Sequence, residues 1–250
     1  MQKLFGTHPV IEALKTGKQI DKVLIKQGME GPVYRELITL VGERHIPYQY
    51  VPLEKLNREA RGAHQGVIAY LAQIDYVDLE TLVNNALTTA SEPVIVILDG
   101  VSDIRNLGAI ARTLECVGGQ GIIVPAKGGA AINAEAVKAS AGALLRLDTC
   151  KVPNLRLAAY YLRQSGFQLV AATEKSDNLI YKVDFHGPVA IVMGSEGKGI
   201  SDSLLALCDE KAAIPMVGQT GSLNVSVATA VVLYEAVRQR TAGYSANFSQ

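Results

Sequence analysis

The sequence predicts an α/β protein in which a large unit, built on a parallel sheet covered on both faces, follows a small α/β unit. Three observations carry this. Near-continuous apolar runs of strand length recur, beginning with Val94-Ile95-Val96-Ile97-Leu98, and helical patterns fall between them, as in a sheet buried on both sides. A polar stretch at 76–92, containing Asn84-Asn85, Thr88-Thr89 and Ser91-Glu92-Pro93, separates two such series. The 250 residues suffice for one large domain or two small ones, either of which can bury a sizeable core.

Taken in order, Thr7-His8-Pro9 offers a helix start, because threonine can cap and proline is tolerated in the first turn. It leads into Val10-Ile11-Glu12-Ala13-Leu14, and Gly17 ends the helix. Val23-Leu24-Ile25 reads as a strand, 33–43 as a helix, Tyr48-Gln49-Tyr50-Val51 as a strand and 53–60 as a helix, with 66–74 closing the small unit. Further strands are expected at 121–124, 169–172 and 189–193. The predicted organisation is a first domain over 1–75, a linker over 76–92, a second domain over 93–243 and a loose tail over 244–250.

Composition excludes several classes. Formal net charge is zero, so bulk charge does not grip nucleic acid, although Lys15, Lys18, Lys22 and Lys26 could form a local patch. No apolar run approaches the ~18 residues a membrane span needs, and Met1-Gln2-Lys3-Leu4-Phe5-Gly6 lacks a signal core, so a cytoplasmic protein without membrane partners is expected. Cys116, Cys150 and Cys208 are odd in number and widely spaced among apolar neighbours. They read as buried thiols, not as a disulfide or metal set.

In a parallel sheet, ligands bind beyond the carboxyl ends of the strands, and three loops there stand out. After Leu98 come Asp99-Gly100-Val101-Ser102-Asp103-Ile104-Arg105-Asn106, where Asn106 could cap a helix starting at Leu107 whose apolar face is Leu107, Ile110, Ala111, Leu114 and Val117. Arg112 lies off that stripe, and by itself it reads as a surface arginine. After Met193 come Gly194-Ser195-Glu196-Gly197-Lys198-Gly199-Ile200-Ser201, whose glycines permit positive φ and close backbone approach, or simply a tight turn capped by Ser201. Neither the phosphate-loop nor the dinucleotide glycine spacing is met. The third loop, Ile214-Pro215-Met216 onward, places Ser222, Asn224 and Ser226 at the start of a long helix, where small polar groups suit either capping or ligand binding.

Together the three loops resemble the signature motifs of the SpoU methyltransferases, a branch of the knotted SPOUT class. The matching residues are Asn106-x-Gly108-x-x-x-Arg112, then Met193-Gly194-Ser195-Glu196-Gly197-x-Gly199, then Ile214-Pro215-Met216 with Ser222-Leu223-Asn224-Val225-Ser226, in the family's order and spacing. Phe5-Gly6-x-x-x-Val10-x-Glu12-Ala13-Leu14 and His64-Gln65-Gly66-Val67 are similar to the substrate-binding domain these enzymes carry, a fold shared with small ribosomal RNA-binding proteins. The resemblance covers nearly the whole chain. It implies a C-terminal trefoil knot, a homodimer, and methylation of a ribose 2′-hydroxyl in structured RNA, with a guanosine of 23S rRNA as the acceptor in the most similar bacterial enzymes.

By the same resemblance, S-adenosyl-L-methionine lies against Thr173, Gly194, Ile214, Met216 and Leu223, with no metal. Arg112 stands beside the reactive hydroxyl, either stabilising the developing alkoxide and positioning phosphate or acting as base, while Asn106, Glu196, Ser222 and Asn224 orient it, the ribose and the adjacent phosphate. Two alternatives stay open: methylation of tRNA or another rRNA position, and an RNA-binding module without catalysis.

Overall fold

The computed structural model describes residues 2–60 and 64–241, which form a smaller unit, up to Asp75 together with Ala131–Ala134, and a larger one that takes the rest from Tyr76 on. The tail expected at 244–250, and the end of the second domain at 243, lie outside the described residues.

In the smaller unit, β1 (Lys3–Phe5), β2 (Ile20–Lys26), β3 (Tyr48–Val51) and β4 (Val67–Leu71) form a sheet in the order β1-β4-β2-β3. The helices α1 (Thr7–Lys15) and α2 (Pro32–Glu43) contribute Val10, Ile11, Leu14, Leu37 and Val41 to a core with Val23, Ile25, Val67 and Ala69. On the other face α3 (Leu53–Glu59) buries Leu56 against Leu24, Ile68 and Tyr70. Thr7 does not cap α1: the N-cap is Gly6 at φ 94°, and Thr7 is the first helical residue, buried. Three residues are too few to show a period, so β1 had no sequence signal; its pairing with β4, Lys3 opposite Tyr70, defines it. The expected basic patch is partly engaged within the fold, since Lys15 pairs with Glu36 at 2.7 Å and Lys22 lies 4.4 Å from the centre of the Tyr70 ring.

The larger unit holds β5 (Tyr76–Val77), β6 (Val94–Asp99), β7 (Gly121–Pro125), β8 (Asp148–Val152), β9 (Gln168–Ala172), β10 (Val189–Gly194) and β11 (Glu210–Ala212). Their order is β11-β9-β10-β6-β7-β8-β5, and every pairing is parallel. Helices α4 (Leu79–Thr89), α7 (Leu155–Gln164) and α8 (Asp202–Leu205) share one core with Ile95, Ile97, Leu169 and Val192. The helices α5 (Ile104–Cys116) and α9 (Val225–Thr241) pack against each other, and a short α6 (Ala134–Ala139) completes the set. Among the described residues, no helix is long and apolar enough to cross a membrane.

The stretch expected as a linker, 76–92, is instead part of this unit. Tyr76–Val77 is the edge strand beside β8, and α4 buries Leu82, Val83 and Ala86. Its polar residues line the outward face of an amphipathic helix, which from sequence alone read as a connector. A second correction concerns Cys116, which is exposed while Cys150 is buried and Cys208 half-buried. Cys116 lies off the Leu107–Ile110–Ala111–Leu114 stripe, whereas burial pushes the other two thiols up to about 12.

The chain crosses from one side of the sheet to the other after β8, so β6 and β10 become central neighbours although 89 residues lie between Asp99 and Val189. At their carboxyl ends Gly194 stands opposite Asp99, and the loops following these strands leave side by side. Such a switch in strand order opens a crevice in a parallel sheet.

The far end of α9 is tied down by polar contacts. The Arg240 guanidinium donates to the carbonyls of Phe185 (2.9 and 2.7 Å), Gly187 (2.9 Å) and Glu92 (2.7 Å). Gln239 donates to Val183 O at 2.9 Å and accepts from Phe185 N–H at 3.0 Å. Buried Glu235 pairs with Arg238 and also accepts from Gln239. Removing the Arg240 side chain leaves three part-buried carbonyls short of a donor, so Arg240→Ala is expected to lower stability by about 2–3 kcal/mol in urea unfolding. Arg240→Lys, which lacks the planar fork, is expected to recover less than half of that loss.

Candidate active site

The crevice is built from the strand ends upward. Asp99, the last residue of β6, accepts the Ser201 N–H at 2.8 Å, which ties the first loop to the second. Gly100 turns the chain at φ 75°, and a Cβ there would lie 3.3 Å from Ser195 Cβ. Asp103, not Asn106, caps α5: its carboxylate accepts the Arg105 N–H at 2.7 Å, and the Arg105 guanidinium holds it down at about 2. The helix therefore starts three residues before the expected Leu107, and Asn106 sits in its first turn with its amide free for other work.

Beyond β10 the chain forms a tight hairpin in which Ser195 and Gly199 exchange both backbone hydrogen bonds, at 3.1 and 2.9 Å. Gly197 (φ 88°) and Gly199 (φ 70°) occupy left-handed conformations that residues with a Cβ rarely adopt. Gly194 is required for a different reason, since a Cβ there would come within 2.1 Å of the Gly199 backbone. Ser201 occupies the N-cap position of α8, but its hydroxyl makes no capping bond, contrary to expectation.

Asn224 closes the site from the third loop. Its Oδ1 accepts from the Ser226 N–H (2.9 Å) and hydroxyl (2.6 Å), orienting the side chain at the start of α9. Its amide donates to Glu196 Oε1 at 2.8 Å and to Asn106 Oδ1 at 3.0 Å, and the Asn106 amide donates to the same Glu196 oxygen at 3.0 Å. Two amides, one from the first turn of α5 and one from the third loop, thus meet at one carboxylate oxygen of the second loop. Among the described residues, Glu196 Oε2 has no hydrogen-bond partner.

Three hollows surround this junction. The largest, about 560 Å³, is lined by Gly194, Glu196, Ser222, Leu223 and Asn224, with Ala172, Glu174 and Met193. A smaller hollow of about 90 Å³ shares Ser222, Leu223 and Glu174 with it and adds Thr173, Ile214 and Met216. A third, about 200 Å³, is lined by Gly100, Ser102, Asp103 and Asn106, and shares Ser195, Glu196 and Val225 with the first. Glu196 therefore borders both a large hollow walled by glycine backbone with apolar and polar side chains, and a smaller, mainly polar one.

Nine of the ten residues singled out from the sequence line these hollows: Asn106, Thr173, Gly194, Glu196, Ile214, Met216, Ser222, Leu223 and Asn224. Arg112 does not. It is exposed on α5, makes no hydrogen bond or ion pair among the described residues, and lines none of the three. Six residues at about 100° each turn it well away from the Asn106 direction on the helix. Sequence reasoning also missed residues. Asp99 was visible as a carboxylate ending an apolar strand, but its role depends on a partner 102 positions away. Glu174, just past β9, carried no local signal.

Residues 93–234 match the model of the SpoU rRNA Methylase family, and residues 3–77 match one for RNA 2′-O ribose methyltransferase substrate binding. An uncharacterized tRNA/rRNA methyltransferase of Mycolicibacterium vanbaalenii is 35% identical over 95% of this chain and 76% of its own length. Among solved structures, the SpoU methyltransferase AviRb from Streptomyces viridochromogenes, in complex with the cofactor AdoMet, is 26% identical with a TM-score of 0.61, over 96% of this chain and 91% of that one. The TrmH/SpoU tRNA modifying enzyme of A. aeolicus is 34% identical with a TM-score of 0.56, over 66% of this chain and 83% of its own.

The Gly194 contact makes a prediction independent of chemistry. In Gly194→Ala the new methyl meets backbone, which cannot rotate aside, so the hairpin must open. A loss of about 2 kcal/mol or more is expected in thermal unfolding, together with loss of small-molecule binding in the large hollow. Gly218→Ala, likewise outside the positive-φ region but with nothing near its Cβ, is the control for the added methyl alone.

Proposed function

The chain belongs to the SpoU rRNA methylase family, and from that premise we propose that it transfers a methyl group from S-adenosylmethionine to a ribose 2′-hydroxyl of structured RNA, with a guanosine of 23S rRNA as the acceptor. The carrying observation is the junction of Asn106, Glu196 and Asn224, which separates the large hollow from the polar one. Donor and acceptor held on either side of it would meet at a defined place.

The large hollow fits the donor. Its volume lies within the range of small-molecule sites, its glycine backbone can reach hydrogen-bonding edges, and the small hollow adjoining it adds Ile214 and Met216 to Leu223 as apolar cover. The bound donor supplies an already activated methyl group, so the protein's part is alignment and charge stabilisation. Asn106 and Asn224 hold Glu196 by one oxygen, leaving the other for a donor group of the substrate. Ser222, exposed at the shared rim, is assigned to the ribose or its phosphate. The Arg112 guanidinium stabilises the developing alkoxide, whose proton passes to water, while holding the neighbouring phosphate, a use suited to its planar fork.

Since Arg112 lies outside the hollows of its own chain, delivery by a second copy is favoured, and the enzyme is assigned as a homodimer. The exposed Val227 and Tyr234 on α9 give such a pairing an apolar surface. The same reading includes the trefoil knot of the C-terminal segment, a cytoplasmic location, and RNA binding by the unit over residues 1–75, where the substrate-binding family model matches. No metal takes part. A tRNA acceptor is the second reading, favoured by the likeness to the tRNA modifying enzyme of A. aeolicus.

Mapping 2′-O-methylation across the RNA of cells lacking this protein tests the assignment: one rRNA guanosine should lose its methyl group, whereas loss at a tRNA position would select the second reading. Activity on folded RNA should be unchanged in chelator, and restoration by a divalent ion after chelation would refute the metal-free mechanism. Arg112→Ala is expected to keep the melting temperature while slowing single-turnover methylation roughly 10²-fold, with Arg112→Lys rescuing poorly. Mixing Arg112→Ala with Glu196→Gln subunits should restore up to about a quarter of wild-type activity, because half of the random dimers carry one intact site of two. No recovery would place Arg112 in its own chain's site.

A further inference from the structure

The two adjoining hollows assigned to the donor contain two ionisable side chains, Glu174 and Glu196, and among the described residues no lysine, arginine or histidine lines either one. Glu196 is accounted for by its two amide partners. Glu174 is not: it is exposed, has no hydrogen bond or ion pair among the described residues, and borders both hollows.

Its backbone, in contrast, is well held. The preceding Thr173 N–H donates to Ala212 O at 2.9 Å, and Thr173 Oγ1 accepts the Lys175 N–H at 3.3 Å. Ser176 Oγ donates to Lys211 O at 2.7 Å, and its oxygen in turn accepts the Asn178 N–H at 3.1 Å. A fixed loop therefore carries a free carboxylate to the place where the two hollows join. Two carboxylates in one cleft repel, and this one gains no compensating contact within the fold, so its contribution is sought in what the cleft binds.

The charge of the ligand is the relevant property. S-adenosylmethionine carries a sulfonium, an ammonium and a carboxylate, a net charge of plus one. The demethylated product, S-adenosylhomocysteine, shares every group except the sulfonium charge and is neutral. We infer that Glu174 is a specificity-determining residue which, together with Glu196, gives this cleft a negative potential that holds the charged donor more tightly than the neutral product. The hold weakens once the methyl group has left, which favours exchange of product for fresh donor. This rests on the donor assignment made above.

Calorimetric titration of the full-length protein with S-adenosylmethionine and with S-adenosylhomocysteine, at about 0.05 M and about 0.5 M salt, tests it without a turnover assay. Wild type should prefer the donor, and the preference should shrink at high salt. E174Q, equal in shape, should lose about two- to fivefold in donor affinity, the scale of one solvent-exposed charge pair, with product affinity unchanged. E174K should reduce donor affinity further. Since Glu174 has no partner in the fold, the melting temperature should not move. An equal loss for both ligands in E174Q would mean that Glu174 meets the shared ammonium group, and it overturns the inference, as does no loss for either. Binding of neither ligand to wild type would overturn the donor assignment itself, a result distinct from both.

Discussion

The parallel pairing of β6 with β10 is the constraint from which the site follows. It sets Gly194 opposite Asp99, so two loops distant in sequence leave the sheet at the same edge and in the same direction. Everything nearby accommodates that closeness. Asp99 accepts a backbone donor from the neighbouring loop, Gly100 admits Ser195 within van der Waals reach, and Gly194 lets its own hairpin fold back upon it. A side chain at Gly194 would not merely crowd the loop. It would separate the two halves of the junction at Glu196.

That junction lies in a water-accessible cleft, which bears on its energetics. Hydrogen bonds between exposed polar side chains contribute little net stability, because water competes for each partner. The Asn106–Glu196–Asn224 cluster is therefore poorly explained as a device for folding. Its effect is order: Glu196 Oε1 receives two amides, one from α5 and one from the loop before α9, and Asn224 is itself oriented by Ser226. Such preorganisation removes reorganisation cost when a substrate arrives. The stabilising interactions lie elsewhere, in the apolar layers against the sheet and in the part-buried guanidinium of Arg240. Because Asn224 precedes α9 and Arg240 ends it, the contacts that anchor the helix at one end also limit where the asparagine can sit at the other.

Stability and function are thus divided along the same helix. Its buried stripe, including Val232, Leu233 and Ala236, belongs to the core, while Val227 and Tyr234 remain uncovered in the single chain. A similar division marks α5, where Leu107, Ile110 and Leu114 are buried and Arg112 is exposed without a partner. Both helices, packed against each other, carry on their outer sides residues that the fold of one chain does not use.

Much of this was visible in the sequence because it depends on local pattern. The apolar runs that became β6, β9 and β10 announce strands buried on both faces, and the glycines of 194–199 announce a turn needing positive φ or close approach. The resemblance to the SpoU methyltransferases also singled out nine residues that line the hollows. Tertiary structure decided what no local pattern encodes. Strand order is a choice of neighbours, and periodicity reports only which face of an element is apolar. Hence the sequence did not say that β6 would lie beside β10, that Asp99 would hold Ser201, or that α4 would be core and not linker. It misjudged the start of α5 by three residues, because Asp103 and Asn106 are equally good caps by type and the choice between them depends on Glu196, 90 positions away. Glu174 gave no signal at all, for a lone acidic residue in a loop acquires meaning only from the cleft that other segments build around it.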